Sequence, residues 1–533
     1  MMFRVFLLLM FLLGGIQNMF GEQSDNTRVV LKKGVSLASQ LIQSKTTYII
    51  RDVFDLKDSI EAQIIKVPPA CILQFEGGCI VNGRIVGHNT RINAAQIKIF
   101  GDNVSLEGTW NVKEAFPEWF GARGDGVTDD YIALQLTIKS FPIIKLCSKT
   151  YLCNSGIKVE NNKILLGDES ELKCQQEGLC QFIVIGNNTK IKGIIFNNIV
   201  KGFPDYGYDN GGMNSTNIAY NNGIEGITIE DCTFKNAICG VYIHSACKDV
   251  VISKCVFDGF CSLPNNHLDP MHSCAGGYGI CLDADNSDGK DIGNIYRVKI
   301  SNCSFNNVQR HCIYIQCVYD CVVENNYFFG NRNITHPTPF DAIMMVYNTV
   351  GLKVFNNLFY DALEAMHFVK IGVLPYNENE LKDIIIEYNS FNNCGDSRGA
   401  NGIIGADYGD NIFLVNNNFY QINGKMGSII GLNHNNNVSI LNNHCVVSSN
   451  CSMNATIVRY NSPDIKNVKI IGNMVDFSNT KTSYDNLIYT DFAADGLIVK
   501  DNFTINGREE YLISVPNITN KTITDNLNVK IGR

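Results

Sequence analysis

The sequence predicts an all-β solenoid: a single-stranded parallel β-helix preceded by a β-roll and a short capping helix. Three observations carry that expectation. An apolar alternation ending in Asn or a small residue and then Phe recurs as ITIEDCTF at 227–234, VVISKCVF at 250–257, VKISNCSF at 298–305, CVVENNYF at 321–328, LKVFNNLF at 352–359, IIIEYNSF at 384–391, IFLVNNNF at 412–419 and LIVKDNF at 497–503. Its apolar period is two, which belongs to strands and excludes a helical solenoid. Before each copy stands a second alternating run, among them GVYIHSA, GICLDAD, CIYIQCV, AMHFVKI and GIIGADY, so every coil supplies more than one strand.

Taken in order, residues 1–21 have the pattern of a signal peptide, with Arg4 ahead of an apolar core from Phe6 to Leu13. No cysteine lies near its end to serve as a lipoprotein anchor, and no later run of about 20 apolar residues suggests a membrane span. The expectation is a secreted or periplasmic protein. Residues 22–115 hold short strand-like runs such as TYIIRDVFDL, CILQFEGG and VSLEGTWNV, separated by turn signals. They are expected to cover the first coil, leaving no open sheet edge. Residues 116–533 form the solenoid, which escapes the size limit of a globular core because each repeat contacts only its neighbours.

The net charge of −8, from 44 Lys+Arg and 52 Asp+Glu, and the lack of a basic stripe argue against a nucleic-acid partner. Twenty cysteines in an exported chain invite a disulfide framework. Their positions follow the repeats instead: Cys232, Cys255 and Cys303 share one slot, which favours stacked, buried thiols.

The stretch EWFGARGDGVTDDYIALQLTI, Glu118 to Ile138, joins the two parts. Gly121, Gly124 and Gly126 allow a tight loop, its aspartates can take loop amides, and Thr128 or Asp129 stands where a helix N-cap is wanted. A short helix should follow, burying Ile132, Leu134, Leu136 and Ile138. This stretch resembles the FGAxGDGVTDDTxAIQ signature that opens the pectate-lyase-superfamily β-helix, found in polysaccharide-degrading enzymes and phage tailspikes. The resemblance implies a right-handed helix and a glycan substrate or ligand; it implies no particular activity.

Aligning the second strands sets Ile243, Leu282, Ile315, Met345 and Phe368 inward. Two outward columns result: Tyr242, Cys281, Tyr314, Met344 and His367, then His244, Asp283, Gln316, Val346 and Val369. His244, Asp283 and Tyr314, with His311 and Arg310 nearby, are the candidate catalytic groups: proton carriers, a carboxylate, and a cation able to hold a substrate carboxylate. Tyr242, Asp285 and His367 are the candidate substrate contacts. Asp283 and Asp285 could serve hydrolysis as a carboxylate pair, whereas a base with Arg or Ca²⁺ would serve β-elimination. The segment DADNSDGKD, Asp283 to Asp291, departs by one place from a calcium loop, and His267, Asp269 and His272 have only a loose metal-like spacing, so no cofactor is expected, with Ca²⁺ at Asp283–Asp291 as the alternative to a solvated acidic turn. The paired aspartates, Gly-His-Gly and Arg-Ile-Lys of polygalacturonases are absent. The sequence therefore leaves two readings, a polysaccharide lyase or glycoside hydrolase acting on an acidic or complex glycan, and a non-catalytic glycan-binding or surface protein.

Overall fold

The computed structural model describes residues 27–58, 64–101, 103–175, 180–198, 216–237, 239–260, 277–284, 293–308, 311–330, 341–346, 348–362, 364–369, 381–395, 402–422, 428–447, 449, 456–479, 487–490, 492–507, 513–514 and 518–530. The expected signal peptide lies outside them. Two compact units are present, Met1–Gly121 and Ala122–Arg533. No described helix is long and apolar enough to cross a membrane.

In the first unit all strand pairings are parallel. Arg28–Val30, Thr47–Ile50, Ile72–Phe75 and Gly83–Asn93 pair in turn, and Ile64–Lys66 and Val104–Trp110 join the long strand Gly83–Asn93. Alternation buries Ile50, Ile65, Leu73 and Ile85 in its interior.

The second unit opens with the glycine-rich loop. Asp130 accepts the amides of Arg123 and Gly124, and Asp125 those of Val127 and Thr128, as the acidic loop implied. These bonds hold the Asp125 carboxyl down at about 2, the Thr128 amide contributing most. The helix runs Tyr131–Ser140, with Asp130 at the N-cap position. Its buried residues are Ala133, Leu134, Thr137 and Ile138, whereas Ile132 is exposed. The expected burial of every second residue fails here because a helix buries positions three and four apart.

Beyond the helix the chain is a right-handed parallel β-helix, with one sheet of 27 strands and one of 13. Each coil gives the larger sheet a long and a short strand joined by a tight corner. A left-handed residue occupies that corner in successive coils, including Asp231, Lys254, Asn302, Asn325, Asn356, Tyr388, Asn416 and Asn442. The next residue points into the coil and forms a ladder. In three successive coils it is Cys232, Cys255 and Cys303, after Ile194 in the coil before them; from Asn326 onward it is asparagine, through Asn357, Asn389, Asn417, Asn443, Asn473 and Asn502. These three cysteines are buried free thiols.

Two places further on stands the phenylalanine column. Phe234, Phe257, Phe305 and Phe328 stack with centroids 4.8–5.0 Å apart, and the stack continues through Phe359, Phe391 and Phe419. Cys445, Val475 and Thr504 succeed them in register. Phe503 is not in the column: in LIVKDNF it directly follows the ladder residue Asn502, one place too early, and pairs with Met474 on the outer side. Gly240 and Gly279 face the stack, and a Cβ on either would meet the ring of Phe257 or Phe305 at 2.9 Å.

Candidate active site

The 13-stranded sheet carries the expected columns. Cys239–His244, Tyr278–Asp283, His311–Gln316, Asp341–Val346 and Glu364–Val369 pair in parallel register, placing Tyr242, Cys281, Tyr314, Met344 and His367 in one row. His244, Asp283, Gln316, Val346 and Val369 form the next. Their interior neighbours Ile243, Leu282, Ile315, Met345 and Phe368 are fully buried.

A third row joins this outer face because the strands turn a corner. Gly240 faces the interior ring stack while its neighbour Val241 is also fully buried, and Ala365 with Met366 repeats the pattern. Two consecutive inward positions shift the preceding residue to the outer side, where strict alternation would not put it. Cys239 thus packs with Tyr242 and Cys281, and the ring of Tyr278 lies 5.6 Å from those of both His311 and Tyr314. Cys239, Tyr278, His311, Asp341 and Glu364 follow one another in register along this row.

In the earlier coils the polar groups are engaged with one another. The Tyr242 hydroxyl donates to Asp283 Oδ2 at 3.0 Å. Tyr242, a candidate substrate contact, is only 8% exposed, so it presents no open ring for a sugar. Burial and the Asp283 carboxylate raise the phenol's pKa, which keeps it a donor. The Ser245 amide donates to His244 Nδ1 at 2.8 Å, so the neutral ring carries its proton on Nε2. Tyr314 donates to Gln316 Oε1 at 2.6 Å, and His311 is buried beneath the tyrosines. Asp285 and Arg310 lie outside the described residues, as do His267, Asp269, His272 and most of the calcium-like segment.

The later coils bring together a group of which the sequence pointed only to His367. His367 Nδ1 lies 3.9 Å from Glu364 Oε2 on its own strand, and His367 Nε2 lies 3.9 Å from Asp407 Oδ2 at the end of the next strand, Ile404–Asp407. The nitrogens of an imidazole are about 2.2 Å apart, so the two carboxylate oxygens are within about 10 Å, near the range for two carboxyl groups that share a glycosidic bond. The side chains of Glu364, His367 and Asp407 are 12%, 19% and 21% exposed, deep enough to be held and open enough to be reached.

Directly after Asp407, Tyr408 turns the chain out of the sheet in the left-handed region, at φ 62°, unusual for an aromatic residue. Its ring stacks on His434 at 4.5 Å, and His434 Nδ1 sits 3.0 Å from Asp464 Oδ2. Tyr408 remains exposed. A signal for this group exists in the sequence: Asp407 in GIIGADY stands in the column of His244 and Asp283, and Glu364 precedes His367 by three residues.

A right-handed parallel β-helix with a carboxylate-bearing outer face is thus the class that fold and site define. Solved structures that reach a TM-score of 0.50 agree on the fold. Gene product 12 of bacteriophage phi29, in its pre-mature form, is similar at a TM-score of 0.52 and 13% identity, covering 78% of this chain and 55% of that one. The N-terminal fragment of the same protein gives 0.50 and 14%, covering 78% and 71%. The mannuronan C-5 epimerase A-module of Azotobacter vinelandii gives 0.46 and 14%, covering 78% and 99%. No protein-family model matches the sequence, and neither does any curated protein.

Proposed function

We propose that this is an exported polysaccharide-active β-helix enzyme, and that it cleaves an acidic or complex glycan by hydrolysis at Glu364, His367 and Asp407. The observation that carries the reading is the imidazole of His367 lying 3.9 Å from each of two carboxylates, Glu364 and Asp407. Hydrolysis needs an acid to protonate the leaving glycosidic oxygen and a base to take a proton from the attacking water. Asp407, the more exposed carboxylate, is the one water reaches and serves as the base; the deeper Glu364 serves as the acid. His367 sets the distance between them and can carry a proton from one to the other between turnovers. Tyr408 offers a ring face to a sugar next to Asp407.

β-Elimination is the second reading, favoured by the imidazoles of His244 and His311 in the earlier coils and by Arg310. It demands a cation against the substrate carboxylate, whereas the described strip around His367 is rich in carboxylates. Incubating the protein with a panel of acidic and neutral glycans separates the two. New reducing ends without unsaturated-uronide absorbance are expected. Both signals together would make the enzyme a lyase, and neither on a broad panel would make it a binding protein.

A further inference from the structure

The larger sheet carries a groove that the active-site strip does not use. It has a volume of about 560 Å³ and runs along the solenoid over five successive coils near the C-terminal end. Its floor is one outward row in register: Phe413, Ser439, Lys469, Ile498 and Thr522. Its wall is a row of carboxamides, Asn411, Asn437 and Asn467 in three successive coils and Asn520 in the fifth, with Gly496 in the fourth.

The wall has a structural cause, since each of these asparagines holds a left-handed corner where Asn is tolerated. That cause leaves the floor unexplained. Lys469 stands in the middle coil and is exposed, and among the described residues it has no carboxylate partner and no acidic residue lines the groove. Asn437 and Asn467 each spend one amide hydrogen on a neighbouring coil, at 2.8 Å to Asp410 and 3.1 Å to Asn437, which leaves each a second donor. Coils repeat at about 4.8 Å, the scale of one unit of an extended sugar chain, so the amides of Asn411, Asn437 and Asn467 in three adjacent coils meet successive sugars.

We infer that this groove binds a linear acidic glycan, with Lys469 opposite a sugar carboxylate and the asparagine row against the hydroxyls. The site deepens the proposed function by naming an anionic polymer, and it would hold the chain without acting on it.

Affinity electrophoresis in gels containing polygalacturonate tests the inference, with dextran as the neutral polymer and polyglutamate as an acidic non-sugar. The wild-type protein should be retarded by polygalacturonate alone. Lys469→Glu should weaken that retardation at least threefold, with added salt shrinking the difference, while unfolding and turnover of short oligosaccharides stay unchanged. Glu364→Gln should be retarded like wild type. Equal retardation of Lys469→Glu and wild type, equal retardation by dextran or polyglutamate, or none by polygalacturonate would overturn the groove's assignment. A wild-type protein that is retarded but turns over no glycan would overturn the hydrolase reading alone.

Discussion

The coils built on cysteine and the coils built on asparagine solve the same corner in different ways. In both, the ladder residue follows a left-handed corner and points at the same carbonyl of the preceding coil. Cys255 Sγ lies 3.9 Å from the Ile229 oxygen and Cys303 Sγ 3.8 Å from that of Ile252, whereas Asn357 Nδ2 donates to Val323 at 2.9 Å and Asn389 Nδ2 to Val354 at 2.8 Å. The carboxamide also accepts: Asn389 Oδ1 takes the backbone and side-chain N–H of Asn357 at 2.9 and 3.0 Å. A thiol is a weak donor and a weak acceptor, so a cysteine coil is held chiefly by packing. Glu364, His367 and Asp407 project from the asparagine region, where side-chain hydrogen bonds add to the backbone ladder, while His244 and Asp283 project from the cysteine region. A rigid support is what closely placed catalytic groups require.

The ladder comparison predicts unequal costs. Asn389→Ala leaves a buried carbonyl and two buried N–H groups unpaired, and should cost about 3 kcal/mol or more in denaturant unfolding. A loss under about 1 kcal/mol would mean that the asparagine ladder contributes no more than the thiols. Gly279→Ala places a methyl 2.9 Å from the Phe305 ring and 2.7 Å from the Cys312 oxygen, and an overpacking cost of about 2 kcal/mol is expected by the same measurement. Cys255→Ala removes only packing and a weak contact, so about 1 kcal/mol should be lost.

The smallest effect concerns acid. Lys190, and after it Lys192, hold the Glu230 carboxyl down at about 2, below its ordinary 4.5. A depressed carboxylate stabilises the fold above its unfolded pKa and loses that contribution as pH falls through the folded one. Glu230→Gln should therefore flatten the stability curve between about pH 4.5 and 2, by less than about 1 kcal/mol because the lysines are half exposed and screened. An unchanged acid limb would remove the pairing from the account.

Much of this was legible in the sequence because strand periodicity and slot spacing report register directly. Phe234 to Phe328 stack as the repeats implied, and His244 stands in register with Asp283 of the neighbouring coil because GVYIH and GICLD align position for position. The candidate site was harder to read. Alternation counted back from Phe368 turns Glu364 inward, and only the double-inward corner at Ala365 and Met366 returns it to the face of His367. Asp407 belongs to another coil, so its approach to His367 depends on side-chain geometry that a column of letters does not carry. Tyr242 stands in the right row, yet the contacts with Ala219, Cys239 and Cys281 that bury it come from the corner row and from a neighbouring coil.

The most direct test compares kcat for Glu364→Gln and Asp283→Asn on whichever glycan the wild-type protein cleaves. Carboxylates bracketing His367 predict a loss of about 10² or more for Glu364→Gln, with thermal unfolding nearly unchanged, and a loss below about tenfold for Asp283→Asn. The reverse ranking would move the chemistry to the cysteine coils and contradict the account.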